Sequence, residues 1–195
     1  MHRHHPSVPR LWMMTDERMG EALWPALARL PRGAGVVFRH YSLPDGLRRA
    51  LFARIDRVAR RRGLVLVRAG STPFRGEDGV HNQRAPRHRG LRTRAAHNAS
   101  EVVAARRRGV DAILISPVFP TRSHRGAPAL GVVRAIALAR MAPGKAIALG
   151  GVDARRHARL RNGGFIGYAA IDAWTAPVLR AKRPSARQKR SAVPT

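Results

Sequence analysis

Eight short apolar runs, separated by amphipathic or turn-rich stretches, constrain the fold of this chain of 195 residues more than any other feature. Most of the runs carry apolar residues on both faces, which is typical of strands buried in a parallel sheet. The runs cover residues 11–14, 35–38, 64–67, 79–81, 91–96, 112–115, 146–149 and 165–171. We therefore predict eight strands.

Helices are predicted between several of these strands. Apolar periodicity favours helices over 44–61, 99–108, 130–141 and 153–162. Asn98 and Glu101 fit a capping pair at the start of the second helix, and Asp153 fits the N-cap of the fourth. Strands that alternate with helices form right-handed βαβ units, so the sheet should be parallel.

Eight such units predict a compact α/β fold, a (β/α)8 TIM barrel, near the lower end of the ~200 residues that this fold needs. Only residues 82–90 separate the fourth and fifth runs, so we expect the third and fourth helices to be short or missing. A doubly wound open sheet is the alternative, although it gives no reason for eight runs. The barrel is assigned to residues 8–180. The His-rich segment 1–7 and the basic segment 181–195 are expected to be disordered.

Composition narrows the class of protein. The chain has no cysteine, so neither disulfides nor cysteine-ligated metal enter the prediction. No apolar stretch approaches the ~20 residues of a membrane span, and the N-terminus lacks the apolar core of a signal peptide. We expect a cytoplasmic protein with no membrane partner.

The formal net charge of +27 would ordinarily suggest a nucleic-acid partner. Only three of the 38 basic residues are lysines, however, and a GC-rich coding bias would produce the same excess of arginine. The arginines are scattered over helix faces, and no aromatic residues alternate with them to stack bases. We therefore interpret the charge as a solvated basic surface and do not expect nucleic acid as the main partner.

Two turn-rich segments follow neighbouring predicted strands. Residues 116–124 follow the sixth run, and Gly150-Gly151 follow the seventh. The carboxyl ends of parallel strands meet at one end of a barrel, where functional groups gather. Small residues after the last two strands, Gly150, Gly151, Ala169 and Ala170, would let backbone amides approach a phosphate. The alternative is that the glycine pair only turns a strand into a helix.

Several motifs, in their order along the chain, resemble those of one known family. They are Met14-Thr15-Asp16, Arg39, Asp78-Gly79-Val80-His81, His97, Pro117-Val118-Phe119-Pro120-Thr121 and Ala148-Leu149-Gly150-Gly151. Over roughly residues 8–174 the chain is similar to the thiamine phosphate synthase/TenI superfamily.

This resemblance implies a barrel that works in thiamine biosynthesis. Synthases of the family join hydroxymethylpyrimidine pyrophosphate to a thiazole phosphate and release pyrophosphate with magnesium. TenI relatives instead isomerise a thiazole carboxylate phosphate by moving a proton. Both bind the thiazole's phosphate through backbone amides of the last two loops, which by position belong here to Gly150, Gly151, Ala169 and Ala170. The implied partners are a phosphorylated thiazole and, for a synthase, the pyrimidine pyrophosphate.

The chain departs from the synthase pattern where that pattern binds metal. Synthases carry Asn-Asp at the end of the third strand, with the aspartate on magnesium, whereas this chain has Val67-Arg68. A second metal carboxylate should follow His81, but residues 82–90 hold no acid. Magnesium usually needs one or two carboxylates. The family thus implies magnesium as a cofactor while the sequence lacks its ligands, and we predict no metal-binding residues.

Arginines stand at several of these positions. Of the Gln-Leu-Arg-Glu-Lys motif that synthases carry after the second strand, only Arg39 remains, and Arg122 and His124 follow the Pro-Thr turn where synthases carry a lysine. Arg39, Arg68 and Arg122 could neutralise an anionic leaving group, since guanidinium pairs bidentately with phosphate oxygens. The predicted substrate-binding residues are Thr121, Arg122, His124 and Arg68, with Arg39 in a catalytic role. The alternative is a pocket that has lost its function.

His97 is the predicted catalytic base. It follows the fifth run, so a barrel would direct it towards the mouth, and imidazole titrates near neutral pH. TenI-type enzymes use the histidine at this position for proton transfer. The alternative is a histidine that only hydrogen-bonds a neighbouring loop.

We predict a thiamine phosphate synthase-like protein that couples a phosphorylated thiazole to hydroxymethylpyrimidine pyrophosphate, with an atypical metal/pyrophosphate site. A metal-independent thiazole isomerase that uses His97 is the first alternative. A non-catalytic phosphate-ligand-binding or regulatory barrel is the second.

Overall fold

Eight parallel strands close into a barrel in the order of the chain, and the last strand completes the circle by pairing with the first. The computed structural model describes residues 7–83, 90–121 and 128–175. The strands are β1 (Leu11–Met14), β2 (Gly35–Phe38), β3 (Val65–Ala69), β4 (Gly79–His81), β5 (Leu91–Ala96), β6 (Ala112–Ile115), β7 (Ala146–Leu149) and β8 (Phe165–Ala170). The barrel prediction is confirmed, and the open-sheet alternative is wrong because the sheet closes on itself.

Helices follow most of the strands on the outside of the barrel. They are a 3-10 helix (Glu17–Ala22), α1 (Leu23–Arg29), α2 (Asp45–Arg62), α3 (Ala99–Arg107), α4 (Gly131–Arg140), α5 (Ala154–Ala158) and α6 (Asp172–Thr175). Residues 70–78, between β3 and β4, contain no helix, and neither do the described residues between β4 and β5. The helix that would follow the third strand is therefore missing, as predicted. Residues 84–89, in the connection between β4 and β5, lie outside the described residues.

Six of the eight strands have the predicted bounds. The third differs because Arg68 interrupts its apolar run, so the sequence pattern ends at Val67. In the structure β3 continues to Ala69, which pairs with His81 of β4. A charged residue is tolerated there because the carboxylate of Glu77 pairs with it.

The side chains of the strands alternate between two apolar cores. Trp12, Val37 and Val67 belong to the core inside the barrel. Phe38 and Leu66 belong to the core between the strands and the outer helices, which includes side chains of α2. This alternation decides which residue at the end of each strand faces the mouth.

Hydrogen bonds at two helix starts confirm the predicted N-caps. The Asn98 Oδ1 accepts from the N–H of Glu101 at 3.0 Å, and the Asp153 Oδ1 accepts from the N–H of Arg156 at 2.7 Å. α5 is shorter than predicted, because the residues after Ala158 form turns instead of continuing the helix. Within the described residues, no helix combines the length and the apolar character needed to cross a membrane.

Candidate ligand site at the carboxyl end of the barrel

A cavity of about 360 Å³ opens where the loops after β6, β7 and β8 meet the end of β2. Its walls include Arg39, Ser116 and Thr121, together with residues 149–153 and 170–173 and with Arg156. Because all the strands are parallel, residues that end different strands share this end of the barrel, as predicted. The volume lies within the ~300–1,000 Å³ range of small-molecule sites.

Gly150 and Gly151 are required by their backbone conformation and by the closeness of the loop after β6. Their φ values are +89° and +60°, which residues with side chains rarely adopt. A Cβ on Gly151 would lie 2.5 Å from the carbonyl oxygen of Pro120, and one on Gly150 would lie 2.7 Å from the Cα of Pro117. The N–H of Phe119 donates to the carbonyl of Gly150 at 3.0 Å. The two loops therefore pack main chain against main chain, and this wall can approach a ligand closely.

Three of the four predicted phosphate-binding residues line the cavity: Gly150, Gly151 and Ala170. Ala169 is instead fully buried in the core inside the barrel. β8 continues through Ala170, so the loop that contributes to the cavity begins at Ile171. The phosphate role of these residues stays a prediction.

His97 lies beside the cavity, outside its lining. Its Nδ1 is 2.7 Å from the carbonyl oxygen of Ser116, which is a lining residue. A carbonyl oxygen can only accept, so Nδ1 carries the proton and Nε2 is the basic nitrogen of the neutral ring. The N–H of His97 donates to Glu101 Oε2 at 2.8 Å, which fixes the backbone at the start of α3. The hydrogen bond to Ser116 thus leaves Nε2 as the proton-accepting nitrogen of the neutral ring.

Arg39 lines the cavity, and the loop after β1 holds its guanidinium. Its Nη2 is 2.6 Å from Asp16 Oδ2, and its Nε donates to the carbonyl of Thr15 at 2.8 Å. Arg18 binds the same carboxylate, and that hydrogen bond is the main cause that lowers the pKa of Asp16, against the effect of burial. The carboxylate therefore stays ionised and keeps Arg39 in place.

Arg68 points away from the cavity, towards the outer face of β3. Its Nε and Nη2 bind the carboxylate of Glu77, and its Nη1 donates to the carbonyl of Gly70. The two side chains of the pair are only 5% and 10% exposed. Val67 and Ala69 point inward, so the alternation of β3 sends Arg68 outward. The structure therefore does not bring Arg68 together with Thr121 at the cavity.

The segment that begins with the Pro-Thr turn is described only as far as Thr121. Thr121 lines the cavity, as a substrate-binding residue should. Arg122 and His124 lie outside the described residues, so their assignment to substrate binding stays a prediction.

Arg156 is a cavity residue that sequence analysis missed. It lies in α5, and its Nη1 donates to the carbonyl of Gly151 at 2.5 Å. The predicted N-cap at Asp153 was a usable signal, because it places residue 156 in the first helical turn, beside the glycine pair. Asp153 and Asp172 also line the cavity and were not predicted to do so.

Two histidines near the mouth are buried and uncharged at neutral pH. His81 is 3% exposed, and its Nδ1 lies 2.9 Å from Thr93 Oγ1. Burial lowers the pKa of His81 to about 3, and the positive charges of Arg39 and Arg94 act in the same direction. Burial is also the main cause that lowers the pKa of His40. Neither ring is part of the cavity lining.

The oxygen donors of the cavity do not fit a magnesium ion. Among the described residues, no three His, Cys, Asp or Glu side chains form a group that could hold a metal. The carboxylates in the lining are those of Asp153, which caps α5, and Asp172. The position that carries the magnesium aspartate in the resembled synthases is Arg68, which is ion-paired with Glu77. The donor set that magnesium prefers is therefore not assembled here.

Comparison with known proteins agrees with this architecture. The sequence model of the thiamine monophosphate synthase family matches residues 82–174. Thiamine phosphate pyrophosphorylase from Pyrococcus furiosus superposes with a TM-score of 0.71 at 17% identity, over 86% of this chain and 88% of that chain. Thiamine phosphate pyrophosphorylase from Bacteroides thetaiotaomicron superposes with a TM-score of 0.59 at 18% identity, over 90% of each chain. No curated protein matches the chain by sequence.

The two superpositions show that these proteins share the barrel fold. The family model adds a similarity in sequence over the second half of the barrel. That half contains β5 to β8 and the loops after β6, β7 and β8, which form most of the cavity. The resemblance predicted from the motifs is therefore confirmed: over residues 82–174 the chain is similar in sequence to the thiamine monophosphate synthase family.

Proposed function

We propose that the protein binds a phosphorylated thiazole in the cavity at the carboxyl end of the barrel, and that His97 moves a proton on it without a metal ion. The observation that carries this proposal is the hydrogen bond from His97 Nδ1 to the carbonyl of Ser116. It fixes the basic tautomer of the ring beside a cavity walled by Gly150 and Gly151. The family match supports the class of ligand, since this family binds small phosphorylated substrates.

The phosphate would lie against the loop after β7. Main-chain N–H groups are good donors to phosphate oxygens, and the two glycines leave them uncovered by side chains. Arg39, which lines the cavity from the β2 side, offsets the charge of a second anionic group. A thiazole carboxylate phosphate carries two such groups.

The proposed chemistry is a proton shift. Nε2 of His97 accepts a proton from the thiazole ring system and returns it at a second position, so substrate and product contain the same atoms. While the ring carries the extra proton, its Nδ1–H···O=C bond to Ser116 becomes charge-assisted and stabilises the imidazolium.

Coupling of the thiazole phosphate to hydroxymethylpyrimidine pyrophosphate is the second candidate. Arg39 favours it, because a guanidinium in the lining could bind the pyrophosphate that leaves. It ranks second because Arg68 is engaged by Glu77 and the carboxylates of the cavity do not fit magnesium.

The test incubates the full chain with thiazole carboxylate phosphate in deuterated buffer and chelator, and follows the ring protons by NMR. Solvent exchange into the thiazole is the expected result. Product formation only with magnesium and the pyrimidine pyrophosphate would establish coupling instead. Binding of thiazole phosphate with neither reaction would identify a non-catalytic barrel, and an absence of binding would overturn the proposal.

A further inference from the structure

We propose that Arg156 is a phosphate-binding residue of this cavity, so that a guanidinium recognises the phosphate monoester of the ligand in addition to the main chain. The inference rests on the proposed function and specifies how that site selects phosphorylated ligands. The motifs that identify the family include neither Arg156 nor any other residue of α5.

Two contacts fix the Arg156 guanidinium at the cavity wall. Its Nη1 donates to the carbonyl of Gly151 at 2.5 Å, and its Cζ lies 5.5 Å from the centre of the Phe119 ring. Gly151 and Phe119 belong to the two loops that pack main chain against main chain. The N–H of Arg156 is in turn held by the Asp153 carboxylate at 2.7 Å. A side chain that is already positioned loses little conformational freedom when it binds an anion.

The guanidinium has donors left for a ligand. Of its five N–H groups, the Gly151 carbonyl occupies one, and the described part of the chain supplies no second hydrogen-bond acceptor. The fork geometry of the remaining donors matches two oxygens of a phosphate. Because Arg156 lines the cavity beside Gly150 and Gly151, these donors and the main chain can act on the same phosphate.

Neither of the two carboxylates in the cavity lining neutralises Arg156 in place of an anionic ligand. Asp153 Oδ1 accepts from the N–H of Arg156 at the start of α5, and within the described residues no ion pair joins this carboxylate to the Arg156 guanidinium. The pKa of Arg18 is raised mainly by its hydrogen bond to Asp16, and the charge of Asp172 acts in the same direction, so the field of Asp172 also acts on the charges around Asp16. The positive charge of Arg156 therefore remains for an anion in the cavity.

The test measures binding by calorimetry to the full chain with three probes: thiazole phosphate, the unphosphorylated thiazole alcohol and inorganic phosphate. The variants are Arg156→Gln, Arg156→Lys and the matched control Arg155→Gln. Arg155 is adjacent, exposed and equally charged, but it does not line the cavity. The alcohol reports whether the cavity is intact.

Arg156→Gln should weaken binding of thiazole phosphate and inorganic phosphate by roughly 10- to 100-fold, because charge-assisted hydrogen bonds are lost. The alcohol should bind as it does to the wild type. Arg155→Gln should change each affinity by less than about threefold, and Arg156→Lys should recover only part of the loss, since lysine lacks the fork. Equal losses for the two glutamine variants, or none for Arg156→Gln, would overturn the inference.

The same experiment separates this inference from the proposed function. If the wild type binds inorganic phosphate through Arg156 but does not bind thiazole phosphate, the inference stands and the proposed function fails. If the wild type binds no phosphate compound, both fail. If Arg156→Gln also fails to bind the alcohol, the Arg156→Lys variant decides. Loss of phosphate affinity in Arg156→Lys with the alcohol still bound supports the inference, and any other result overturns it.

Discussion

The two halves of the barrel mouth use their polar groups in opposite ways. On the β1–β3 rim (residues 15–18, 39–42 and 68–78), charged side chains bind each other: Asp16 holds Arg39, and Glu77 holds Arg68. On the β6–β8 rim (residues 116–121, 150–156 and 170–173), main chain forms much of the cavity wall, and Gly151 approaches the neighbouring loop more closely than Gly150 does.

This difference shows that charged side chains at the mouth of the barrel do not by themselves indicate a ligand site. A buried charge without a partner is costly, so arginines that enter the protein are satisfied internally. Arg48 shows this well, because its guanidinium donates to the carbonyls of Arg39, His40 and Ala69. The arginines of the β1–β3 rim mainly hold loops together, and we propose that the phosphate group of the ligand binds at the β6–β8 rim.

The largest effect is expected where the β6–β8 rim meets His97. His97→Asn should slow proton transfer about 10²- to 10⁴-fold, because an amide does not act as a base near neutral pH. The melting temperature should change little, since His97 is exposed. Exchange kinetics and thermal unfolding measure the two effects, and His157→Asn, outside the lining, is the control. Equal turnover in wild type and His97→Asn would show that His97 only anchors a loop.

On the β1–β3 rim, the expected effect is on stability. Glu77→Gln should lower the free energy of unfolding by about 3–5 kcal/mol, because it leaves the Arg68 charge buried without an anionic partner. The affinity for thiazole phosphate should not change. Asp56→Asn removes the partner of the 64%-exposed Arg60 and should cost about 1 kcal/mol or less. Denaturant unfolding measures the stability, and calorimetry measures the ligand affinity. A Glu77→Gln variant that lost ligand affinity and kept its stability would contradict the comparison.

Two glycine substitutions, one at each end of the barrel, test the cavity wall that the main chain of the loops after β6 and β7 forms. Gly151→Ala should weaken binding of thiazole phosphate by roughly tenfold or more, because its Cβ would meet the Pro120 carbonyl. Gly144→Ala has a similar positive φ, +70°, but nothing lies within 4 Å of its Cβ. Both should lose about 1–3 kcal/mol of stability from the strained backbone. Unchanged affinity in Gly151→Ala would remove the phosphate site from this rim.

The smallest effect concerns His81, which lies between the two rims on β4. Its pKa is about 3 in the folded protein and near 6.5 in the unfolded chain, so the unfolded state binds the proton first. Its contribution to stability is therefore complete above pH 6.5 and falls as the pH drops towards 3, by at most about 1.4 kcal/mol per pH unit.

Urea unfolding at pH 7 and pH 5.5 measures this slope, in a window where carboxylates hardly titrate. His81→Asn can keep a hydrogen bond with Thr93 and should flatten the slope, leaving the contributions expected from His40 and His157, whose pKa values are also lowered. A slope as steep in His81→Asn as in the wild type would show that another group causes it.

The barrel could be predicted because its strands and helix caps are local patterns. Apolar runs marked six strands at their observed bounds, and the caps at Asn98 and Asp153 marked the starts of α3 and α5. The third strand was predicted too short, since Arg68 breaks the apolar run while the backbone continues its ladder to β4. A pattern of residue types does not show where a buried charge will find its partner.

The sequence by itself determined which segments become strands and that the ends of these strands, with Arg39, His97 and Gly150, share one end of the barrel. Only the tertiary structure decided what each side chain does there: it turned Arg68 outward to Glu77 and brought Arg156 to the carbonyl of Gly151. The physical reason is that strand formation depends on a local apolar pattern. The direction of a side chain depends instead on the phase of its strand in the closed barrel and on partners supplied by other loops.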